Sequence, residues 1–188
     1  MRNLLIALGV LLVVALVLGV QVKNTYNELY TLREDVNAKW SQVDVALQRR
    51  ADLIPNLVET VKGFAKQEKE IMEAVASARS ALLNARSPQE KIEANGRLDT
   101  ALGRLLLVVE NYPALRSSGN FMRLQDELAG TENRIAVERR RYNESVQKYN
   151  TSIGLFPSNI VASIFGFERN DAYFRTEPAA REAPKVAF

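Results

Sequence analysis

The sequence has neither histidine nor cysteine in its 188 residues. These absences exclude a Ser-His-Asp triad, a cysteine nucleophile, a Cys/His zinc site and a haem held by histidine. A di-iron helical bundle is excluded as well, because its Glu-x-x-His pairs need histidine. The sequence therefore predicts no catalytic residue, no cofactor and no metal site, and we expect a protein that is not an enzyme. Without cysteine, an oxidising and a reducing compartment suit the chain equally.

The sequence also lacks a charge bias, with 25 lysine and arginine residues against 22 aspartate and glutamate residues. Neither half of the chain ends in a basic or an acidic tail. The basic stripe that nucleic-acid binding requires is missing, so we predict no nucleic-acid partner.

Long hydrophobic runs are absent except for one, which extends from Leu4 to Val20 without a charged residue. About 20 helical residues span the ~30 Å hydrocarbon core of a bilayer. The run therefore predicts a transmembrane anchor over residues 1–23, with the lipid bilayer as a partner. It exceeds the ~7–15-residue core of a cleaved signal peptide, so we expect a retained signal anchor. Cleavage after the loosely matching Val17-Leu18-Gly19 is the alternative.

Positive residues near the bilayer set the orientation of an anchor, and here they balance. Arg2 and the terminal amine lie on one side, and Lys23 and Arg33 lie on the other. The very short N-terminus resembles a signal anchor that exports the chain after it. We therefore expect a single-pass protein with its domain outside the cytoplasm, and the cytoplasmic orientation is the alternative.

Beyond the anchor, apolar residues recur every three or four positions, and no strand or hairpin pattern occurs. The first apolar stripe joins the anchor without a turn signal, which predicts one helix of about 45 residues. Asp52 fits the N-cap of a second helix, with Pro55 in its first turn. The capping box Ser87-Pro88-Gln89-Glu90 opens a third helix. A fourth helix is predicted from Asn120 to Phe156.

Short connections between helices make neighbours antiparallel. The sequence thus predicts an all-α fold, in which an N-terminal transmembrane helix continues into an antiparallel four-helix bundle with up-down-up-down topology. The predicted divisions are the anchor, the bundle, a short apolar amphipathic segment near the membrane and a disordered tail, over residues 1–23, 24–156, 157–175 and 176–188. Heptad-patterned helices, as in coiled coils, can also pair between copies, so we expect a homo-oligomer.

The predicted topology places two turns, over residues 49–56 and 112–120, together at the end of the bundle far from the membrane. Arginine, tyrosine and asparagine are frequent at protein interfaces, so these turns form a candidate partner-docking tip. Its residues are Arg49, Arg50, Asp52, Asn56, Asn111, Tyr112 and Asn120. The alternative is that they cap helices and form internal ion pairs.

The fourth helix is long enough to return to the membrane, and an apolar segment with a basic edge at Arg169 and Arg175 follows it. Within it, a short segment is predicted from Ser158 to Phe165, and Gly166 terminates it. Such a composition suits the membrane interface. The candidate membrane-proximal contact residues are Phe156, Ile160, Val161, Ile164, Phe165 and Phe167. The alternatives are packing against neighbouring protomers and a flap that closes the base of the bundle core.

Several short segments carry a family resemblance: Trp40–Asp44, Arg49–Val58, Asn111–Pro113, Asn120–Phe121, Thr131–Ala136, Tyr142–Asn143, Tyr149–Asn150, Phe156–Pro157 and Gly166–Phe167. On these segments the sequence resembles the LemA family over nearly its whole length. The resemblance implies a bacterial membrane protein with an N-terminal anchor and a helical bundle, without an established activity. Together with the anchor it predicts the inner membrane, with the domain on the periplasmic side. It also implies a membrane metalloprotease of the HtpX type, or another membrane protein, as a partner.

Three functions compete on this sequence. The first is a membrane-anchored scaffold or adaptor that self-associates and binds a membrane partner. The second is a sensor with a small ligand between the helices, which predicts a cavity lined by tyrosine and asparagine residues of the fourth helix. Asn133, Asn143 and Asn150 either belong to a buried polar network or lie on the surface. The weakest is an enzyme that uses carboxylates alone, with Asp44, Glu59 and Glu132 as candidates.

We expect Arg139-Arg140-Arg141 to be a solvated helix face.

Overall fold

The structure, a computed structural model, describes residues 2–175, and the predicted disordered tail over 176–188 lies outside this range. Within the described residues the chain is helical and has no strand, which confirms the all-α class. The helices are α1 (Arg2–Phe64), α2 (Lys69–Asn84), α3 (Pro88–Val109), α4 (Pro113–Arg116), α5 (Gly119–Gly154) and α6 (Ser158–Phe165).

The chain folds into two compact units. The first, which we call the anchor unit, comprises described residues up to Lys39 together with Glu144–Asp171. The second, the bundle unit, comprises Trp40–Asn143 and, among the described residues, 172–175. The long helices α1 and α5 contribute residues to both units. The domain boundaries drawn from the sequence stay a prediction.

The bundle unit packs α2, α3 and α4 with the second part of α1 and the first part of α5. Asp44 pairs with Lys91 and Arg50 with Asp99 further along both helices, so α1 and α3 run in the same direction. Arg50 also pairs with Glu132 of α5, whereas the earlier Trp40 packs on Tyr142, so α1 and α5 are antiparallel. The core side chains include Val43, Leu47, Ile54, Leu57, Val61, Leu98, Leu105, Phe121, Ile135 and Tyr142.

Helix α1 passes through Pro55, so the predicted turn over residues 49–56 and the predicted N-cap at Asp52 are wrong. Proline has no N–H, so the carbonyl of Ala51, four residues earlier, loses its helical hydrogen bond. In the structure the Nε of Arg79, on α2, donates to that carbonyl at 2.7 Å. A side chain from another helix thus replaces the missing donor, and α1 continues to Phe64. The chain then turns over residues 65–68.

We expect Arg79→Met to lower the free energy of unfolding by about 1–2 kcal/mol, because it leaves the buried carbonyl of Ala51 without a donor. In a Pro55→Ala background the backbone N–H at position 55 is available to that carbonyl, so the same Arg79 substitution should cost much less. A double-mutant cycle of urea unfolding measures the difference. An equal cost in both backgrounds would show that Arg79 acts in some other way.

The capping box predicted for α3 is present. The hydroxyl of Ser87 accepts from the backbone N–H of Glu90 at 3.2 Å, and the Glu90 carboxylate accepts from the N–H groups of Arg86 at 2.7 Å and Ser87 at 3.3 Å. These backbone hydrogen bonds hold the pKa of Glu90 below its usual value. The start of α3 is therefore determined locally.

In the anchor unit, α1 contains the one segment within residues 2–175 whose length and composition suit a membrane crossing, and none of that segment is buried. Its apolar side chains from Leu4 to Val20 are exposed. Helix α6 ends at Gly166, which adopts a left-handed conformation with φ of 70°. The N–H of Phe167 then bonds to the carbonyl of Ala162 at 2.9 Å, and this turn directs the chain back toward α1.

Candidate functional site

A cluster of charged side chains lies between three helices of the bundle unit. We call it the Arg50 cluster; its members are Arg50, Asn95, Asp99, Glu132 and Arg139. Arg50 is only 7% exposed. Its Nη1 atom pairs with the carboxylate of Asp99 and, at 2.8 Å, with Glu132. One guanidinium thus connects α1, α3 and α5.

The second cation of the Arg50 cluster is Arg139. Its guanidinium lies 3.5 Å from Asp99 and 4.0 Å from Glu132, and the amide of Asn95 donates to Asp99 at 2.9 Å. Two arginines therefore neutralise two carboxylates, with each carboxylate contacting both guanidinium groups. A partly buried, charge-balanced network of this kind favours one arrangement of the helices, because a misplaced helix would leave a charge unpaired.

The side chain of Phe174 occupies an aromatic pocket in the same unit, which we call the Phe174 seat. Its ring lies 6.2 Å from that of Trp40 and 6.0 Å from that of Tyr142, and the guanidinium of Arg139 lies 5.0 Å above it. The side-chain amide of Asn143 donates to the carbonyl of Phe174 at 2.8 Å and accepts from its N–H at 3.0 Å. Phe174 is therefore held both by its ring and by its backbone groups.

The anchor unit repeats this type of contact. Asn150 donates to the carbonyl of Asn170 at 2.7 Å and accepts from its N–H at 2.9 Å. The hydroxyl of Tyr149 donates to the carbonyl of Glu168 at 2.8 Å, and burial raises the pKa of Tyr149. Three side chains of the kind that the sensor hypothesis assigned to a ligand cavity, Asn143, Tyr149 and Asn150, thus bind the backbone of the chain's own residues 168–174, whereas Asn133 is exposed.

The structure separates the residues of the predicted docking tip. Arg49, Asp52 and Asn56 lie exposed on α1, and Arg50 is buried in its cluster. Asn111, Tyr112 and Asn120 lie in or beside the connection from α3 to α5. No turn forms over residues 49–56, because α1 is continuous there.

Tyr112 instead meets the turn that follows α1. Its hydroxyl donates to Glu68 at 3.2 Å; burial raises the pKa of Tyr112, and the hydrogen bond to the Glu68 carboxylate adds to the rise. The connection after α3 therefore does meet the connection after α1, as predicted for this end of the bundle. The residue of the α1 connection that makes the contact is Glu68, and not a residue of the predicted turn over 49–56. Binding of a partner at this end stays a prediction.

The predicted membrane-proximal residues divide into two sets. Val161 and Phe167 are buried, at 5% and 7% exposure, whereas Phe156, Ile160, Ile164 and Phe165 are 50–80% exposed. The rings of Phe165 and Phe167 pack on Tyr26 of α1, with centroid distances of 5.0 and 5.5 Å. Helix α6 therefore covers α1 with one side and leaves apolar side chains exposed on another.

The three acidic residues considered for catalysis do not converge. Asp44 pairs with Lys91, Glu59 with Lys62, and Glu132 with Arg50. In the part of the chain that the structure describes, no group of three or more acidic side chains is placed to hold a metal ion.

Arg139 is the residue that the sequence interpretation missed. We expected a solvated position, but Arg139 joins the Arg50 cluster and covers Phe174. A signal was present, since Arg139 falls between Ile135 and Tyr142 on the apolar stripe of α5. Arg50 falls between Leu47 and Ile54 on α1 in the same way. A charged residue on an apolar stripe indicates a buried ion pair.

Comparison of the sequence with known proteins finds one family. A profile described as the LemA family matches residues 39–188. The magnetosome protein MamQ of Magnetospirillum gryphiswaldense is 32% identical, over 94% of this chain and 74% of the relative. Magnetosome protein MamQ 2 of Paramagnetospirillum magneticum is also 32% identical, over 93% and 73%. Protein LemA of Metamycoplasma hominis is 26% identical, over 72% and 63%. The chain belongs to the LemA family.

Proposed function

We propose that this protein is a non-enzymatic, single-pass scaffold of the bacterial inner membrane. In this proposal its bundle unit lies on the periplasmic side, self-associates and docks a membrane protein, such as the metalloprotease implied by the family resemblance. The observation that carries the proposal is α1, in which an exposed apolar segment and core residues of the bundle belong to one uninterrupted helix. A helix of this kind anchors a folded domain to the bilayer.

The polar side chains of the bundle unit support a structural role. The Arg50 cluster pairs its own charges, and Asn143 binds the chain's own backbone. Large apolar side chains remain on the outside of the same unit, among them Val45, Leu107 and Met122, which are 66%, 65% and 50% exposed. Exposed apolar side chains favour contacts between proteins where they gather into patches. Two relatives are named as magnetosome proteins, which associates them with a cell structure.

The mass of the full-length protein in native-lipid discs tests whether the protein self-associates, as the proposed scaffold requires. After the mass of protein-free discs is subtracted, we expect the protein in each disc to weigh several times the 21.1 kDa of one chain, at one defined stoichiometry, because exposed apolar surface is buried when copies associate. Mass photometry of discs prepared over a range of protein-to-lipid ratios provides the measurement. A defined stoichiometry should persist on dilution with lipid, whereas crowding would give a distribution that follows the ratio. A single-chain mass at every ratio would remove self-association from the proposed function.

The sensor remains a second candidate because of one groove. It lies between α2 and α3, has a volume of about 580 Å³ and is lined mainly by small side chains, with Glu70, Arg97 and Arg104 at its edges. A ligand bound there would raise the melting temperature, and above its dissociation constant the shift would grow with the logarithm of the ligand concentration. A screen of anionic metabolites against the same discs, with Arg97→Gln as control, separates the two functions, since a scaffold shows no shift.

A further inference from the structure

We propose that α6 lies in the membrane interface and forms a second lipid contact of the anchor unit, with Ile160 and Ile164 facing the acyl chains. The proposal deepens the membrane anchoring proposed above and rests on it. It concerns a segment of the anchor unit that comes more than a hundred residues after the apolar run in the chain. Its support comes from the faces of α6, from its contact with α1 and from nearby charges.

Helix α6 has three distinct faces. Val161 and Ala162 are buried. Ile160 and Ile164, one helical turn apart, are 50% and 70% exposed. Asn159 and Ser163, also one turn apart, are exposed and polar. At about 100° per residue the centre of the polar pair lies about 100° around the helix from the centre of the isoleucine pair, and Ser163 lies about 60° from Ile160. A helix whose role was only to cover the rest of the protein would need apolar side chains on its buried face, but not on an exposed face.

The exposed apolar surface extends beyond α6 itself. Leu155 and Phe156, just before the helix, are 58% and 80% exposed, and Phe165 at its end is half exposed. A flap that closed a protein core would bury such side chains, since burying one large apolar side chain contributes about 1.5–3 kcal/mol. Leu155 and Phe156 stay exposed within the described anchor unit, and so does half of Phe165 beside its contact with Tyr26. Lipid is the apolar medium that a membrane-anchored chain always has beside it.

The contact with α1 places α6 at the edge of the membrane segment. Phe165 and Phe167 pack on Tyr26, which follows the last residue of the apolar run, Val20, by about 9 Å of helix. Tyrosine is enriched where hydrocarbon meets the headgroups. Tyr26 is therefore at the height of the interface when the run spans the bilayer, and α6 is held at the same height.

The charges around α6 match a headgroup layer. Lys23 and Arg33 are on the adjacent part of α1. The guanidinium of Arg33 lies 5.1 Å above the ring of Phe167. Arg169 follows four residues after the end of the helix, where it pairs with Asp171 at 2.8 Å. An apolar helix with basic residues at its edges binds membranes that contain anionic lipid. This arrangement favours lipid over a second copy of the chain as the partner of α6.

The absence of cysteine permits a direct test with single-cysteine variants of the full-length protein. A bimane probe is attached to Ile160→Cys, Ile164→Cys, Asn159→Cys or Ser163→Cys in vesicles of phosphatidylethanolamine and phosphatidylglycerol. Nitroxide-labelled lipids then report contact with the acyl chains by quenching. We expect loss of most of the fluorescence at positions 160 and 164, and little loss at positions 159 and 163. All four side chains are exposed, so the substitutions leave the packed face of α6 intact.

Equal quenching at the four positions, or none at 160 and 164, would overturn the proposal. Excimer formation between pyrene probes at position 164 without lipid quenching would assign this face to a second copy instead. Val14→Cys, in the apolar run, is the control that separates the two levels of inference. If position 14 is quenched and position 164 is not, only the α6 proposal fails. If position 14 is not quenched, the membrane-spanning anchor of the proposed function fails.

Discussion

Replacing Arg50 by methionine should lower the free energy of unfolding by about 3 kcal/mol, the largest effect that we expect from a single substitution. Removing one partner of a buried ion pair costs roughly 3–5 kcal/mol, because the remaining charge stays unpaired. The carboxylates of Asp99 and Glu132 are 38% and 44% exposed, so water compensates part of the loss and the lower end of the range applies. Methionine keeps the unbranched stem of the side chain as far as the position of Nε, so the loss reports mainly the charged end of the guanidinium.

Arg49→Met is the matched control for this prediction. It makes the same chemical change one residue earlier, at a position that is exposed on α1, and surface substitutions usually stay within about 0.5 kcal/mol. Urea unfolding of both variants in lipid discs, followed by the fluorescence of the single tryptophan, Trp40, gives the two values. Equal losses for the two variants would contradict the assignment of Arg50 as the centre of the cluster.

A second comparison tests whether an unpaired acid causes the loss. In the Arg50→Met background, replacing Glu132 by glutamine removes the excess negative charge and leaves Asp99 paired with Arg139. We expect part of the lost stability to return, because a neutral amide costs less to leave without a cation than a carboxylate does. A further loss would indicate that Arg139 depends on the Glu132 carboxylate more than Arg50 does.

Replacing Phe174 by alanine should release its segment from the bundle unit without unfolding the helices. Phenylalanine-to-alanine changes in a core cost roughly 3–5 kcal/mol, and Phe174 is half-buried, so we expect about 2 kcal/mol. The loss is local, because the segment is held by one ring and by the amide of Asn143. A cost of that size corresponds to roughly 30-fold faster hydrogen exchange at the backbone N–H of residue 174.

Trp40 reports the same event by fluorescence, because its ring stacks on Phe174 at an interplanar angle of 23°. Loss of Phe174 exposes the indole, and its emission should shift to longer wavelength. Phe165→Ala is the control: it removes the same side chain from a position that packs on Tyr26, and it should leave both the emission and the exchange at residue 174 unchanged. An unchanged Trp40 emission in the Phe174→Ala variant would contradict the packing of Phe174 on Trp40 in the Phe174 seat.

Local features of this fold were accessible from the sequence. The capping box at Ser87–Glu90, the end of α6 at Gly166 and the exposed apolar run at the start of α1 all appear as predicted. Each depends on residues within a few positions of one another, because a cap, a left-handed glycine and a membrane-length run act through neighbouring backbone. The all-α class followed from the same local periodicity.

The candidate sites depended on contacts that local patterns do not contain. Arg50 and Arg139 fall on apolar stripes, a signal that the sequence interpretation missed, and the carboxylates that neutralise them come from two other parts of the chain, α3 and the first part of α5. The sequence also marked Asn143 and Asn150 as polar residues of α5, and only the structure identified the backbone groups that they bind, 31 and 20 residues away.

By itself, then, the sequence determined the helical class, the membrane-length segment and the family to which the chain belongs. The tertiary structure decided where α1 ends, which charges are paired and what the asparagines bind. Pro55 shows the physical reason. From neighbouring residues alone, a proline predicts the first turn of a helix, because in a helix interior it would remove a hydrogen bond. Arg79, 24 residues further along the chain, supplies the missing donor to Ala51, and a rule based on neighbouring residues has no access to that contact.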